Sequence, residues 1–319
     1  MKGWLLRLTA ALSLLALAPL GEAQQPSPAA PRRRPTFEGG IEIIHLAVSV
    51  TDARNRFITG LAERDFAIFE DGVKQDLTLF NHDDIPISMV LMVDTSASMD
   101  EKLKEAQDAA LRLVRTMRPQ DKARIMQFND RPTVLQDFTS EIPALESAVR
   151  RTEASGPTYL HNALYVALKD LAKQKSAGGE LRRRALVLLS DGEDTASLVS
   201  DEQVMELARK TEINIYAISL RAKSAPDRNR LKFSQAAHLL TALTQDTGGQ
   251  VHFPNSLSEL EAVYDRIAEE LRTQYSLGYV SSNKRSDGKW RRIVVRVPTH
   301  EDLKVRHKLG YYGIPTATR

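Results

Sequence analysis

The sequence predicts an α/β fold, a doubly wound and mostly parallel sheet, inserted into a smaller β-sandwich-like domain that the two flanks build together. Three observations predict it. Between residues 86 and 272, short apolar runs alternate with amphipathic stretches of helical period, which implies a parallel sheet covered by helices on both faces. Residues 38–84 and 275–313 instead read as strands and turns. Neither flank has enough strands to close a core alone, so the economical arrangement pairs them.

Composition sets the frame. The chain has 319 residues, 42% hydrophobic and 27% charged, ordinary for a globular protein. Its formal charge of +3 is spread along the chain and does not argue for nucleic acid. There is no cysteine, which excludes disulfides, zinc–thiolate sites and thiol nucleophiles.

In chain order, residues 1–23 read as a secretory signal. Lys2 and Arg7 precede an apolar core from Leu8 to Leu20, and Gly21-Glu22-Ala23 offers small residues for cleavage. That core is shorter than the roughly 20 residues of a membrane-spanning helix. The expectation is therefore a secreted, periplasmic or envelope protein with no stable span after cleavage. Residues 24–37, rich in Pro, Ala and Arg, read as a disordered linker. In the first flank, Ile44, Leu46, Val48 and Val50 share one face. Phe66–Phe69 and Asp76–Phe80, about the Asp71-Gly72 turn, predict a hairpin.

Strands are then predicted at Ile87–Val93, Ala123–Phe128, Ala185–Leu189, Ile213–Ser219 and Val251–Phe253. Helices are predicted at Lys102–Met117, Ile142–Arg151, Leu160–Lys173, Asp201–Lys210, Leu231–Gln245 and Ser258–Arg272. In the second flank, Tyr275, Leu277 and Tyr279 alternate, as do Ile293, Val295 and Val297, and the odd positions from Leu303 to Tyr311. The Arg182-Arg183-Arg184 run and Arg291, Arg292 and Arg296 read as solvated faces.

The first central strand ends on Asp94, followed by hydroxyls at Ser96 and Ser98 and then a helix. Alone, the two serines suit an ordinary helix cap, as does Thr158 ahead of the helix at 160. Another apolar strand ends at Ser190-Asp191. Two such strand ends side by side would bring two carboxylates together, which is unfavourable without a cation. An all-oxygen donor set suits a hard ion such as Mg²⁺. His161 reads as a packing residue, Glu193 and Asp194 as loop acids, and Asp100 as a first-turn helix acid. No H-E-x-x-H, G-x-S-x-G or phosphate-binding glycine loop occurs, so no catalytic residue is assigned and the chain is not read as an enzyme.

Together these stretches resemble the von Willebrand factor type A domain with its metal-ion-dependent adhesion site. Asp94, Ser96 and Ser98 match the DxSxS motif, Thr158 the second-loop Thr, and Asp191 the third-loop Asp; Pro157 replaces one glycine of the usual pair. Asp65-Phe66 through Glu70-Asp71-Gly72 and Gln75 resembles the N-terminal signature of a bacterial secreted family built around such a domain. The resemblance implies a Rossmann-like fold and a divalent cation, Mg²⁺ with Mn²⁺ or Ca²⁺ as alternatives. Ser96, Ser98 and Thr158 would be direct ligands, with Asp94 and Asp191 acting largely through water or switching between direct and water-mediated contact. The implied function is an exported, metal-dependent protein-binding or adhesion module, in which the ion bridges to an acidic residue of a partner protein. The alternatives are a structural protein stabilised by the ion, and a hydrolase using the ion to activate water. In such relatives the last helix shifts with the metal site, which here would reach the β flank through Ser258–Arg272.

Overall fold

A computed structural model describes residues 43–82, 85–174, 182–191, 194–220 and 230–313. The expected signal at 1–23, the linker at 24–37 and Glu193 lie outside the described residues. The elements run β1 (Ile43–Thr51), β2 (Ala67–Glu70), β3 (Val73–Gln75), β4 (Leu77–Asn81), β5 (Ile87–Asp94), α1 (Leu103–Arg115), β6 (Lys122–Phe128), β7 (Pro132–Thr139), α2 (Ile142–Arg150), α3 (Leu160–Lys173) and β8 (Arg183–Ser190). They continue as α4 (Asp201–Lys210), β9 (Ile213–Ser219), α5 (Arg230–Thr247), β10 (Val251–His252), α6 (Leu260–Thr273), β11 (Tyr275–Val280), β12 (Trp290–Arg296), β13 (Lys304–Arg306) and β14 (Gly310–Tyr312).

The central sheet has the order β10-β9-β8-β5-β6-β7, parallel except for β7. In β5, Met89, Leu91 and Val93 face a core closed by α1, α2 and α6. Val90 and Met92 face the opposite core, closed by α3, α4 and α5. An unbroken apolar run is what a strand covered on both faces requires. From β5 the chain passes to β6 on one side and later to β8 on the other, so the winding reverses between β5 and β8. The carboxyl ends of strands at such a reversal open a crevice for ligands. Strand β7 was not anticipated. It is a half-exposed antiparallel edge beginning with Pro132, and neither period nor composition marks such an edge.

The flanks form two antiparallel sheets, ordered β13-β1-β11-β4 and β14-β12-β2-β3. β1 lies between strands of the second flank, with Ile44 opposite Tyr279 and Val50 opposite Val305. Ile44, Leu46, Val48, Val50, Ile68, Tyr275, Leu277, Tyr279, Ile293, Val295 and Val297 share one core. The hairpin differs from expectation: its return arm is β3, whereas Leu77–Asn81 joins β11 in the other sheet. Asp71 and Gly72 both have positive φ, 48° and 85°, a two-residue turn that pairs Glu70 directly with Val73. The expected 303–311 run also divides, into β13 and β14. The His307 ring accepts the Val295 N–H at 3.0 Å in place of a backbone carbonyl. A Cβ on Gly310 would lie 2.3 Å from the Arg291 carbonyl, so the approach of β14 to β12 requires glycine.

Two arginines expected to be solvated are buried. Arg183 donates to the carbonyls of Leu271 and Gln274 at 3.0 and 2.5 Å. Arg291 lies 3.7 Å from Glu70, which also accepts from Tyr279, Tyr311 and Ser281. Burial offers these guanidinium groups fixed acceptors that a sequence run cannot reveal. Buried Glu270 on α6 accepts from Ser49 and Tyr216, each at 2.9 Å, and pairs with Arg306. It thereby ties α6 to β1, β9 and β13.

Half-buried His252 on β10 has its pKa lowered from 6.5 to about 4, chiefly by desolvation and then by Arg306 and Arg266. Between those pH values the unfolded chain takes up a proton that the folded chain refuses, so stability falls as pH falls. This histidine contributes a loss of about 3 kcal/mol across that window. Urea unfolding at a series of pH values is expected to show a shallower acid slope in His252→Gln.

Candidate metal centre

Asp94 ends β5 fully buried. Val93 pairs with Leu189 of β8, which brings Ser190 alongside Asp94. The Ser190 hydroxyl donates to one carboxylate oxygen at 2.5 Å, and the Ser96 N–H donates to the other at 2.9 Å. Asp191 follows, buried, with one carboxylate oxygen lacking a hydrogen-bond partner. Burial above all pushes the Asp94 carboxyl up to about 6; bonds from Ser190 and Ser96 oppose this, and the charge of Asp191 adds to it.

Ser96 precedes a 3₁₀ turn, Ala97–Lys102, yet its side chain makes no capping bond. Its hydroxyl lies 3.1 Å from that of Ser98, so the capping reading does not describe it. Ser96 is buried and Ser98 exposed.

The loop carrying Thr158 is joined to this turn at two points. The Ala97 N–H donates to the Gly156 carbonyl at 2.9 Å, and the Ser155 N–H to the Thr95 carbonyl at 2.7 Å. Gly156 takes a φ of 73°, in the left-handed region glycine tolerates, and Pro157 follows. The cap position of α3 is Tyr159, so buried Thr158 is not the cap either.

The segment after β8 is bonded to the start of α3. The Thr195 N–H donates to the Thr158 carbonyl at 2.9 Å, and the Thr195 hydroxyl accepts from the Thr158 N–H at 3.1 Å. Asp194 accepts the His161 N–H, and Asn162 Oδ1 accepts the N–H groups of Leu198 and Val199. The bond to His161 satisfies an N–H group that a helix start leaves open and makes Asp194 a structural cap; the others tie the segment after β8 to α3. The His161 ring lies against the Val199 carbonyl, a packing role.

The candidate residues therefore lie on three interlinked loops: Asp94, Ser96 and Ser98 after β5, Thr158 before α3, and Asp191 after β8. Among the described residues, no group of three or more His, Cys, Asp or Glu side chains is placed to hold a metal. A cation here would depend on hydroxyl oxygens. Two buried carboxylates, one with an unpartnered oxygen, beside hydroxyls 3.1 Å apart are donors that fit a hard divalent ion.

Residues 89–193 match the family model of the von Willebrand factor type A domain. This part of the chain is a von Willebrand factor type A domain. All five candidate residues fall within the matched range. Similar solved structures include a von Willebrand factor type A protein from Catenulispora acidiphila, at 12% identity over 88% of this chain and 76% of that one, TM-score 0.49. Another is the conserved hypothetical protein BatB from Bacteroides thetaiotaomicron, at 17% identity over 58% and 98%, TM-score 0.44. A third is the vWF domain of the type V pili tip protein Mfa5 from Porphyromonas gingivalis, at 14% identity over 59% and 95%, TM-score 0.46. At these identities and scores the resemblance is loose, and the assignment rests on the family match.

Three residues around the site escaped the sequence reading. Ser190 had a usable signal, a hydroxyl closing an apolar strand before an acid. Lys102 lies 3.4 Å from Asp191 across 89 residues, and Thr195 binds Thr158 across 37; neither contact has a local signature. Thr195→Val, which keeps the shape and removes the hydroxyl, is expected to speed amide exchange at Thr158 and His161 and leave β5 unchanged. The expected cost is about 1 kcal/mol of stability.

Proposed function

We propose that the von Willebrand factor type A domain is a metal-dependent protein-binding or adhesion module, with no enzymatic activity of its own. The observation that carries this is the buried Asp94–Asp191 pair at the β5–β8 reversal, with its unpartnered oxygen and neighbouring hydroxyls. Ser96, Ser98 and Thr158 would hold a divalent cation through hydroxyl oxygens, with Asp94 and Asp191 supplying the carboxylates. Mg²⁺ is the first candidate, with Mn²⁺ and Ca²⁺ as alternatives. When bound, the ion supplies a positive coordination position for a carboxylate of a partner protein.

The chain's own residues do the rest. Ser190 and the Ser96 N–H fix both oxygens of Asp94 and stabilise its ionised form. The bonds among the three loops keep their donors in register before a partner arrives, which lowers the ordering cost of association. Neutral hydroxyl ligands leave more of the ion's charge for the partner than a cage of carboxylates would. Beyond the two carboxylates no general base is assigned at the site, so binding is favoured over turnover. Residues 1–23 support export, and among the described residues no helix is long and apolar enough to cross a membrane.

Isothermal calorimetry on the full chain is expected to detect a single site for Mg²⁺, lost in Asp94→Ala and weakened about tenfold in Ser190→Ala. Absence of binding to Mg²⁺, Mn²⁺ and Ca²⁺ in the native chain overturns the proposal.

Lys102 competes for Asp191 at 3.4 Å. Lys102→Met is expected to tighten Mg²⁺ binding about fivefold at low salt, an effect that shrinks as salt screens the charge.

A further inference from the structure

We infer that Lys102 serves both states of the site: without a metal ion its ammonium neutralises Asp191, and with one it is displaced and holds the partner's carboxylate. The inference rests on the metal-dependent reading above and names the residue that receives the partner's acid beside the ion.

The Lys102 ammonium lies 3.4 Å from Asp191 Oδ2, and the other Asp191 oxygen has no hydrogen-bond partner. The Asp191 side chain is 5% exposed and that of Lys102 28%, so the contact is buried at the acid and open at the cation. A buried carboxylate needs a counter-charge, and one ammonium contact at this distance is a loose one. Lys102 closes the 3₁₀ turn Ala97–Lys102, which also carries the exposed Ser98. A divalent cation accepted by Asp191 and the hydroxyls of this turn would repel the ammonium at short range. The four-carbon stem lets the ammonium leave toward water without moving the turn.

The charges on the neighbouring segments give the displaced ammonium its task. Exposed acids stand at Asp100 and Glu101 on the 3₁₀ turn, Asp130 after β6, Glu153 ahead of Ser155, and Asp201 and Glu202 at the start of α4. Against them stand exposed Arg131 and Lys104, which is paired with Asp108 at 2.9 Å. An acidic partner therefore approaches through a field of its own sign. Of these cations, Lys102 is the one in contact with a candidate metal residue. Its ammonium pairs with Asp191 alone among the described residues, although Asp100 and Glu101 precede it on the same turn. A partner carboxylate has two oxygens, and one engaged by a metal ion leaves the other to accept from an ammonium. The site therefore suits a polypeptide segment with Asp or Glu, and discriminates against the neutral Asn or Gln of the same shape.

The test uses the full chain and three readouts: thermal melting with and without saturating Mg²⁺, Mg²⁺ calorimetry, and retention in saturating Mg²⁺ on immobilised hexapeptides with one central Asp or Asn. Lys102→Met is expected to melt about 3 °C below the native chain without metal and level with it in Mg²⁺. In Mg²⁺ it is expected to bind the Asp peptides about tenfold less well, despite its tighter hold on the ion. Lys102→Arg is expected to retain them as the native chain does. Undiminished Asp-peptide retention in Lys102→Met overturns the inference, as does an unchanged melting temperature without metal. Weaker Mg²⁺ binding in Lys102→Met also overturns it, because the ammonium would then support the ion instead of yielding to it. So does a native chain that binds Mg²⁺ yet does not prefer Asp over Asn, a result that leaves metal binding itself standing. A native chain that takes up no divalent ion sinks the metal-dependent reading and the inference with it.

Discussion

Two carboxylates buried at the ends of neighbouring parallel strands create the tension around which this molecule is arranged. Withdrawing one carboxylate from water is costly, and a second beside it adds repulsion. The protein reduces that cost for Asp94 with donors from Ser190 and the Ser96 backbone. It brings Lys102 toward Asp191 while one Asp191 oxygen stays unpartnered. The flanking strands are apolar because they are covered on both faces, so water cannot relieve the charges from below. The three loops are bonded to one another, so neither carboxylate can swing away without breaking the links that hold its neighbours.

Much of the central domain was legible in the sequence because its determinants are local. An apolar run long enough for one strand, followed by a polar helix start, marks β5 and β8. Alternate residues of β5 then divide between the two cores. The candidate residues were legible for the same reason, since each ends a strand or precedes a helix. What was hidden depends on distant partners. β7 is an edge with one wet face. The hairpin's return arm was set by a turn of only two residues, and β4 left for another sheet to meet β11. Arg183 and Arg291 looked like surface charges because their acceptors are backbone carbonyls and a glutamate from other parts of the chain.

The flanks and the helical layer are linked through α6. This helix packs its apolar face into the core shared with α1 and presents Glu270 to Ser49 of β1, Tyr216 of β9 and Arg306 of β13. It then runs almost directly into β11, the strand that pairs with both β1 and β4. Displacing α6 along its axis would have to break a buried ionic contact or drag the first flank sheet with it. Any motion of this helix is therefore resisted by polar bonds as well as by packing.

The position of β1 bears on how the chain acquires its shape during synthesis. Although it is the first described strand, it lies between β11 and β13, and its Ser49 meets a glutamate 221 residues further along. The helical layer and its sheet draw on contacts available earlier, while β1, apart from its end at Val50 and Thr51, which bonds to Phe57 and Ile58, waits for nearly the whole chain before its backbone groups find partners. Closing so long a loop is entropically expensive and slow. The earliest described strand to emerge from the ribosome is among the last to be sealed, and until then it is open to pairing with a neighbouring chain.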